Sequence, residues 1–466
     1  MNEVRTIIHF AVNPLIILSV LGIIALFAEI FRFRKGLFPL ILLGLAGAFV
    51  CTARLYNHPQ IIMGMMNFDN YAVVFTCVIL IIAFLWFMMA KNYFLQETSV
   101  TDHFALIIFS LVGAVVMVSF NNLTMLFLGI EILSVSVYVL AASDKTNITS
   151  SESGFKYFLM GSFATGFLLF GITLIYGVTG SFDLTTIQHN LSSGNETGLA
   201  LAGVLLLLVG LGFKSSLAPF HFWAPDVYEG APTTVTTYMA TVVKTAAFAA
   251  FYRLFSLCFW QLAPHWADIL SWMVVLTLFI GNVSAVRQKS VKRLLAYSSV
   301  AHAGYIAIAI VAMSTPSTSA IMYYTFTYSI SSLSAFTILF IVSRHKGSKD
   351  ISAFEGMSKA NPLLSFAMTV AMLSLAGIPP TAGFFAKYYV FFTAINHGYT
   401  WLVLVAVIAA LVGVYYYFRV IIAIYFKPEQ QLVPIKVGPL HRTVLIITTI
   451  LTLLFGLFPN LVLGWL

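Results

Sequence analysis

Apolar residues run in long blocks along almost the whole chain, near 12–31, 37–56, 70–90, 103–120, 122–142, 155–177, 199–217, 233–255, 268–286, 293–313, 319–343, 362–395, 402–426 and 442–463. A helix crossing an apolar core of about 30 Å needs ~20 such residues, so fourteen crossings would use roughly 280 to 300 residues and leave short loops. The pattern therefore predicts an all-α polytopic membrane protein of about fourteen transmembrane helices, with no soluble domain. The first run is too long for the core of a secretory signal peptide and has no small-residue cleavage site, so it reads as a retained helix.

Composition agrees. Of 466 residues, 60% are apolar and 9% charged, against roughly 25% charged in a soluble domain; a soluble enzyme is excluded. The net charge of +8 would suit nucleic acid, but the basic residues sit in short loops where a membrane protein needs them. Seventeen of the 24 Lys and Arg residues follow the first, third, fifth, ninth, eleventh and thirteenth runs, and only Arg5, Arg54 and Arg253 fall on the other side. That asymmetry predicts both termini outside. Cys51, Cys77 and Cys258 lie far apart without a Cys-x-x-Cys pair, so neither a disulfide framework nor an iron–sulfur ligand set is written here. Electron chemistry belongs elsewhere.

The remaining basic residues, Lys214, Lys244, Lys387 and Arg419, fall inside predicted helices, and Glu131 is the acid near a helix centre. Charge at membrane depth is expensive, so such groups face a bundle interior or a hydrated cavity. Lys244 lies about ten residues from either end of its run, ~15 Å, too far for its stem to snorkel. Arg419 is nearer an end and can snorkel. Glu131 admits a second reading as a polar helix-packing contact. Lys214 precedes Pro219, Pro225 and Pro232, each lacking a backbone donor; the helix either breaks at membrane depth or ends at Pro219, which would leave Lys214 near the interface. The run from Asn361 to Ile395 would span ~52 Å as one helix, so it must bend or break, and Gly377-Ile-Pro379-Pro380 supplies the break ahead of Lys387. Broken helices bearing ionisable groups in each half of a chain point to ion-translocating inverted repeats. Ser298, His302 and Tyr305 share one face of their helix; His302 is either structural or a group that passes protons near neutral pH. Burial penalises the charged form of an amine, and a nearby carboxylate opposes that penalty. Moving Glu131 relative to Lys214 would therefore toggle the lysine's affinity for a proton.

Gly212-Phe-Lys214, then Pro219-Phe-His-Phe-Trp-Ala-Pro225-Asp-Val-Tyr-Glu-Gly-Ala-Pro232, and later Arg293-Leu-Leu-Ala-Tyr-Ser-Ser-Val-Ala-His302, resemble the antiporter-like subunits of respiratory complex I. The resemblance covers nearly the whole chain. It implies two inverted five-helix repeats, helices 4–8 in residues 103–256 and helices 9–13 in residues 266–427, with broken helices 7 and 12, helices 1–3 in residues 1–102 and helix 14 in 428–466. It further implies a proton relay of Glu131, Lys214, Lys244 and Lys387, with His302 at a less firmly matched polar position. Lys387 in place of a Glu, and a chain stopping at Leu466 without a long lateral helix, resemble the N-type member. The resemblance implies no cofactor or metal in this chain, with flavin, iron–sulfur clusters and quinone in partner subunits. Its partners would be neighbouring antiporter-like and small hydrophobic membrane subunits within the lipid bilayer, with no nucleic acid. The location implied is a bacterial inner membrane with periplasmic termini. A subunit of a multisubunit sodium/proton antiporter or membrane-bound hydrogenase is the related alternative. A scaffold whose charges only join helices is the third.

Overall fold

The computed structural model describes residues 13–94, 100–192, 198–428 and 434–466. Arg5 lies outside the described residues. Among the described residues, the main helical segments follow the predicted runs. They are α1 (Pro14–Phe27), α2 (Arg34–Ala53), α3 (Asn70–Phe94), α4 (Val100–Ser119), α5 (Leu123–Ala141), α6 (Ile148–Thr179) and α7 (Gly198–Ser215). The second set is α8 (Thr233–Cys258), α9 (Ala263–Val286), α10 (Val291–Ala312), α11 (Thr315–Lys346), α12 in two pieces (Pro362–Ala376 and Ala382–Asn396), α13 (Thr400–Phe426) and α14 (Pro439–Leu457). Among the described residues, twelve helices are long and apolar enough to cross a membrane; α1 and the first piece of α12 are shorter.

The helices differ in how they meet their surroundings. α6 and α13 bury only a third of their apolar stretch, whereas α10 is 94% and α11 wholly buried. α11 forms the axis of the bundle, packed against α8, α10, both pieces of α12 and α14. It is also rich in hydroxyls: Tyr323, Tyr324, Thr325, Thr327, Tyr328, Ser329, Ser331, Ser332, Ser334 and Thr337 are all buried. Several of these hydroxyls bond carbonyls one turn back, the economical way to carry hydroxyls through apolar surroundings.

Interloop contacts sort the helix ends into two faces. On one, a small antiparallel hairpin (β1, Gln60–Ile62; β2, Met66–Phe68) bridges to Phe120. There Arg253 donates to the Phe120 carbonyl at 2.9 Å and pairs with Asp69 at 3.0 Å. This hairpin is the departure from an all-helical pattern. On the other face, Ser290 bridges to Asp350, Arg293 and Lys156 both pair with Asp226, and Lys427 pairs with Glu355. The loops rich in Lys and Arg thus meet at one end, as a regular up-and-down topology requires. Lys156 stands in the third turn of α6 rather than in the loop before it.

Candidate functional site

Both predicted breaks are present. α7 stops at Ser215, Ser216 turns with φ of +64°, and the chain passes a cis Ala218–Pro219 bond before a short helix, Trp223–Gly230. Thr277 of α9 holds the turn by accepting the Ala218 N–H at 2.8 Å. α12 stops at Gly377, whose φ of +83° lets its own and the next N–H cap the Leu373 carbonyl at 3.0 Å. The second piece resumes at Ala382, after a cis Pro379–Pro380 bond.

Lys214 is buried within the bundle at the last turn of α7, which ends one residue later at Ser215. Its amine donates to Ser134 Oγ at 2.8 Å, and the ring of Tyr157 lies 5.8 Å away. Ser134 stands one turn beyond Glu131 on α5 and itself bonds the Ile130 carbonyl. Glu131 is half-buried, its Oε1 shielded and without a hydrogen-bond partner, and no ion pair joins it to Lys214 among the described residues. Ser134 therefore occupies the place an ion pair would take. α5 also exposes Leu128, Ile132, Val135 and Val139, so Glu131 sits at the edge of the molecule.

Lys244 is central and buried. One irregularity sits beside it: Met239–Val243 form a π-helical turn, a distortion often found at functional sites. The Lys244 amine donates to both the carbonyl and Oγ of Ser299 on α10 at 2.5 Å, with the Tyr328 ring 5.7 Å off. Tyr228, from the short helix after the α7 break, and Tyr328 both lie against Ser299. Tyr157 stacks on Trp223 at 4.4 Å, and Trp223 meets Tyr228 at 6.0 Å. A buried aromatic wall thus runs from Lys214 to the Lys244 pair.

His302 lies one turn beyond Ser299. Its Nδ1 meets Tyr324 Oη at 2.9 Å and its Nε2 meets Tyr417 Oη at 3.2 Å, while Tyr417 also bonds Ser298. Lys244 bonds Ser299 one turn before His302 on α10 and Lys387 lies against the ring of Tyr305 one turn after it, so His302 stands between the two amines. Lys387 turns back across its own break: the amine donates to the Ala376 carbonyl at 2.6 Å and the Leu375 carbonyl at 3.3 Å, beneath the Tyr305 ring at 4.9 Å. The Leu375 carbonyl faces His302 as well. Lys244, His302 and Lys387 are therefore one cluster. Lys214 and Glu131 are a second group, linked to it through rings and hydroxyls. Arg419 joins neither; half-buried, it donates to the Val286 carbonyl and closes the end of α9.

Sequence reasoning singled out the charges but passed over the hydroxyls that connect them: Ser134, Ser299, Tyr324, Tyr328 and Tyr417. The dense Ser, Thr and Tyr content of residues 315–337 was a usable signal for part of that set. Among the described residues no group of His, Cys, Asp and Glu side chains is placed to hold a metal ion.

A family model described as NADH:quinone oxidoreductase/Mrp antiporter, TM, matches residues 120–413. The chain is 42% identical over 455 residues to NADH-quinone oxidoreductase subunit N of Cytophaga hutchinsonii, covering 97% of this chain and 98% of the relative. It is 40% identical to the same-named protein of Flavobacterium psychrophilum, covering 97% and 99%. A chain of respiratory complex I from Thermus thermophilus with bound aureothin matches with a TM-score of 0.84 at 35% identity, covering 97% of this chain and 98% of that one. A chain of the Mrp complex from Dietzia sp. DQ12-45-1b matches with a TM-score of 0.87 at 18% identity, covering 98% and 96%; at that identity the likeness carries the fold alone.

Proposed function

The chain belongs to the NADH:quinone oxidoreductase/Mrp antiporter family, and on that premise we propose that it is the N-type, proton-translocating membrane-arm subunit of an NADH:quinone oxidoreductase. The observation that carries the reading is the line of buried amines, each bonded to a hydroxyl or carbonyl and none locked in an ion pair among the described residues. A fixed ion pair holds its proton. An amine facing hydroxyls, by contrast, gains or loses one as the local charge changes.

In this proposal Glu131 sets the proton affinity of Lys214, and protons pass between Lys214 and Lys244 along the intervening wall. His302 exchanges protons with Lys244 and Lys387, and Lys387 releases them. Residues 103–256 and 266–427 act as the two inverted repeats, each with its broken helix. The driving redox chemistry, with flavin, iron–sulfur clusters and quinone, resides in partner subunits. A neighbouring antiporter-like or small hydrophobic membrane subunit covers the α5 edge beside Glu131. The basic loop end faces the cytoplasm of a bacterial cell, and both termini face the periplasm.

The test is native-gel separation of gently solubilised membranes with NADH-dehydrogenase staining, followed by proton-pumping assays of Lys244→Ala. The proposal expects comigration with flavin and iron–sulfur subunits and an assembled variant whose pumping falls. Migration with small hydrophobic partners alone, together with sodium-dependent transport, would move the chain to the antiporter branch. Normal pumping by Lys244→Ala would leave the buried charges as helix-packing groups.

A further inference from the structure

At the basic loop end, a cavity of about 350 Å³ opens between the start of α6, the Trp223–Gly230 helix and the start of α10. Its lining includes Glu152, Lys156, Asp226, Glu229, Arg293 and Lys349. The outer charges neutralise one another: Lys156 pairs with Glu152 at 2.7 Å and Asp226 at 3.3 Å, and Arg293 pairs with Asp226 at 3.0 Å. Glu229 is different. Its carboxylate accepts from Ser290 Oγ at 3.3 Å and has no ion-pair partner among the described residues.

Behind this lining lies Lys292, which the sequence counted only among the basic loop residues after the ninth run and which the structure buries in the first turn of α10. It is 1% exposed, and its amine donates to the Glu229 carbonyl at 3.0 Å and to the Ala231 carbonyl. Both acceptors are neutral. On α10, Ser299 and His302 follow Lys292 at seven and ten residues, the same face of a helix, about 10 and 15 Å farther in. Tyr228, next to Glu229 in sequence, lies against Ser299, which holds the Lys244 amine.

We propose that this cavity is a proton entrance, with Glu229 as the uptake carboxylate and Lys292 as the first buried amine on the way to the Ser299–Lys244 pair. The proposal rests on the proton-relay reading above. The carboxylate of Glu229 takes a proton from hydronium in the cavity, leaving water. It then gives that proton to the neutral amine of Lys292, restoring the carboxylate and forming the ammonium. The ammonium returns to the amine as Tyr228 and Ser299 each accept one proton while releasing another, the last to Lys244. The ion-paired rim of Lys156, Asp226 and Arg293 keeps the cavity hydrated without binding the proton itself.

The deciding variant is Lys292→Arg, because a guanidinium keeps the carbonyl hydrogen bonds but stays charged and cannot hand on its proton. Glu229→Gln, which leaves the backbone carbonyl bound by Lys292 in place, is the second. Both are measured in the assembled complex in proteoliposomes as protons pumped per electron, beside Lys244→Ala. The proposal expects both variants to lose pumping with NADH oxidation by the redox subunits preserved. Wild-type stoichiometry in either assembled variant overturns it, and Glu229→Gln decides alone if the arginine variant does not assemble. Loss in Lys244→Ala with normal pumping in both others would remove the entrance and keep the relay. Normal pumping in Lys244→Ala would remove the relay itself.

Discussion

The two broken helices carry one lysine each, and they stabilise it in opposite ways. Lys214 ends the piece before its break and reaches sideways to Ser134 of another helix, with the Glu131 carboxylate a turn away. Lys387 begins the piece after its break and reaches back to the exposed carbonyls of Leu375 and Ala376. The terminal carbonyls of a helix carry partial negative charge that favours a cation there. Backbone that α12 itself supplies thus anchors the Lys387 amine. The Lys214 amine is instead anchored by a side chain of α5, a helix whose outer face lies at the edge of the molecule. The lesson is that one device, a lysine at a helix break, is anchored by a different helix in one place and by its own helix in the other.

The comparison breaks most severely at Lys387. Lys387→Ala removes the amine and leaves the carbonyls, and the proton path then has no terminal group; pumping in reconstituted vesicles is expected to fall to the level left by other subunits, with the complex intact on a native gel. Gly377→Ala comes next. Its φ of +83° and a Cβ placed 2.8 Å from Lys387 Cδ together cost about 1–3 kcal/mol and displace the amine. Thermal unfolding of the solubilised complex and its pumping rate should both decline.

Glu131→Gln acts on the other half of the comparison. It withdraws the negative charge that favours a protonated Lys214, so pumping drops while Lys387 and the α12 break are untouched. Adding Glu131→Gln to Lys387→Ala should give little further loss, since both lie on one path; additive losses in pumping assays would mean two paths. The smallest effect belongs to Ser134→Ala, which removes a hydrogen bond worth about 1 kcal/mol. The variant leaves the Lys214 amine free to close on Glu131, and pumping in vesicles slows modestly with a loss of stability no larger than that bond.

Much of this was legible beforehand because membrane physics leaves few choices. Runs of about 20 apolar residues have to become helices, and among the described residues the helical segments agree with the runs to within a few residues at most ends. Ionisable groups such as Lys244 stand out against an apolar background. The breaks at Pro219 and Pro379–Pro380 were also visible, since a missing N–H and a run too long for the bilayer are both properties of sequence. The hairpin at residues 60–68 was not, because three-residue strands leave no pattern long enough to read.

The sequence by itself determined where the apolar segments lie, the two breaks and the charges worth attention, since each follows from composition and local backbone chemistry. Only the tertiary structure decided what those charges touch. That Ser134 stands between Lys214 and the Glu131 helix, that Ser299 holds Lys244, and that Lys292 lies behind Glu229 depend on residues far apart in the chain. Helix rotation and packing bring such groups together, and a hydroxyl in one helix carries no local mark of the amine it will meet in another.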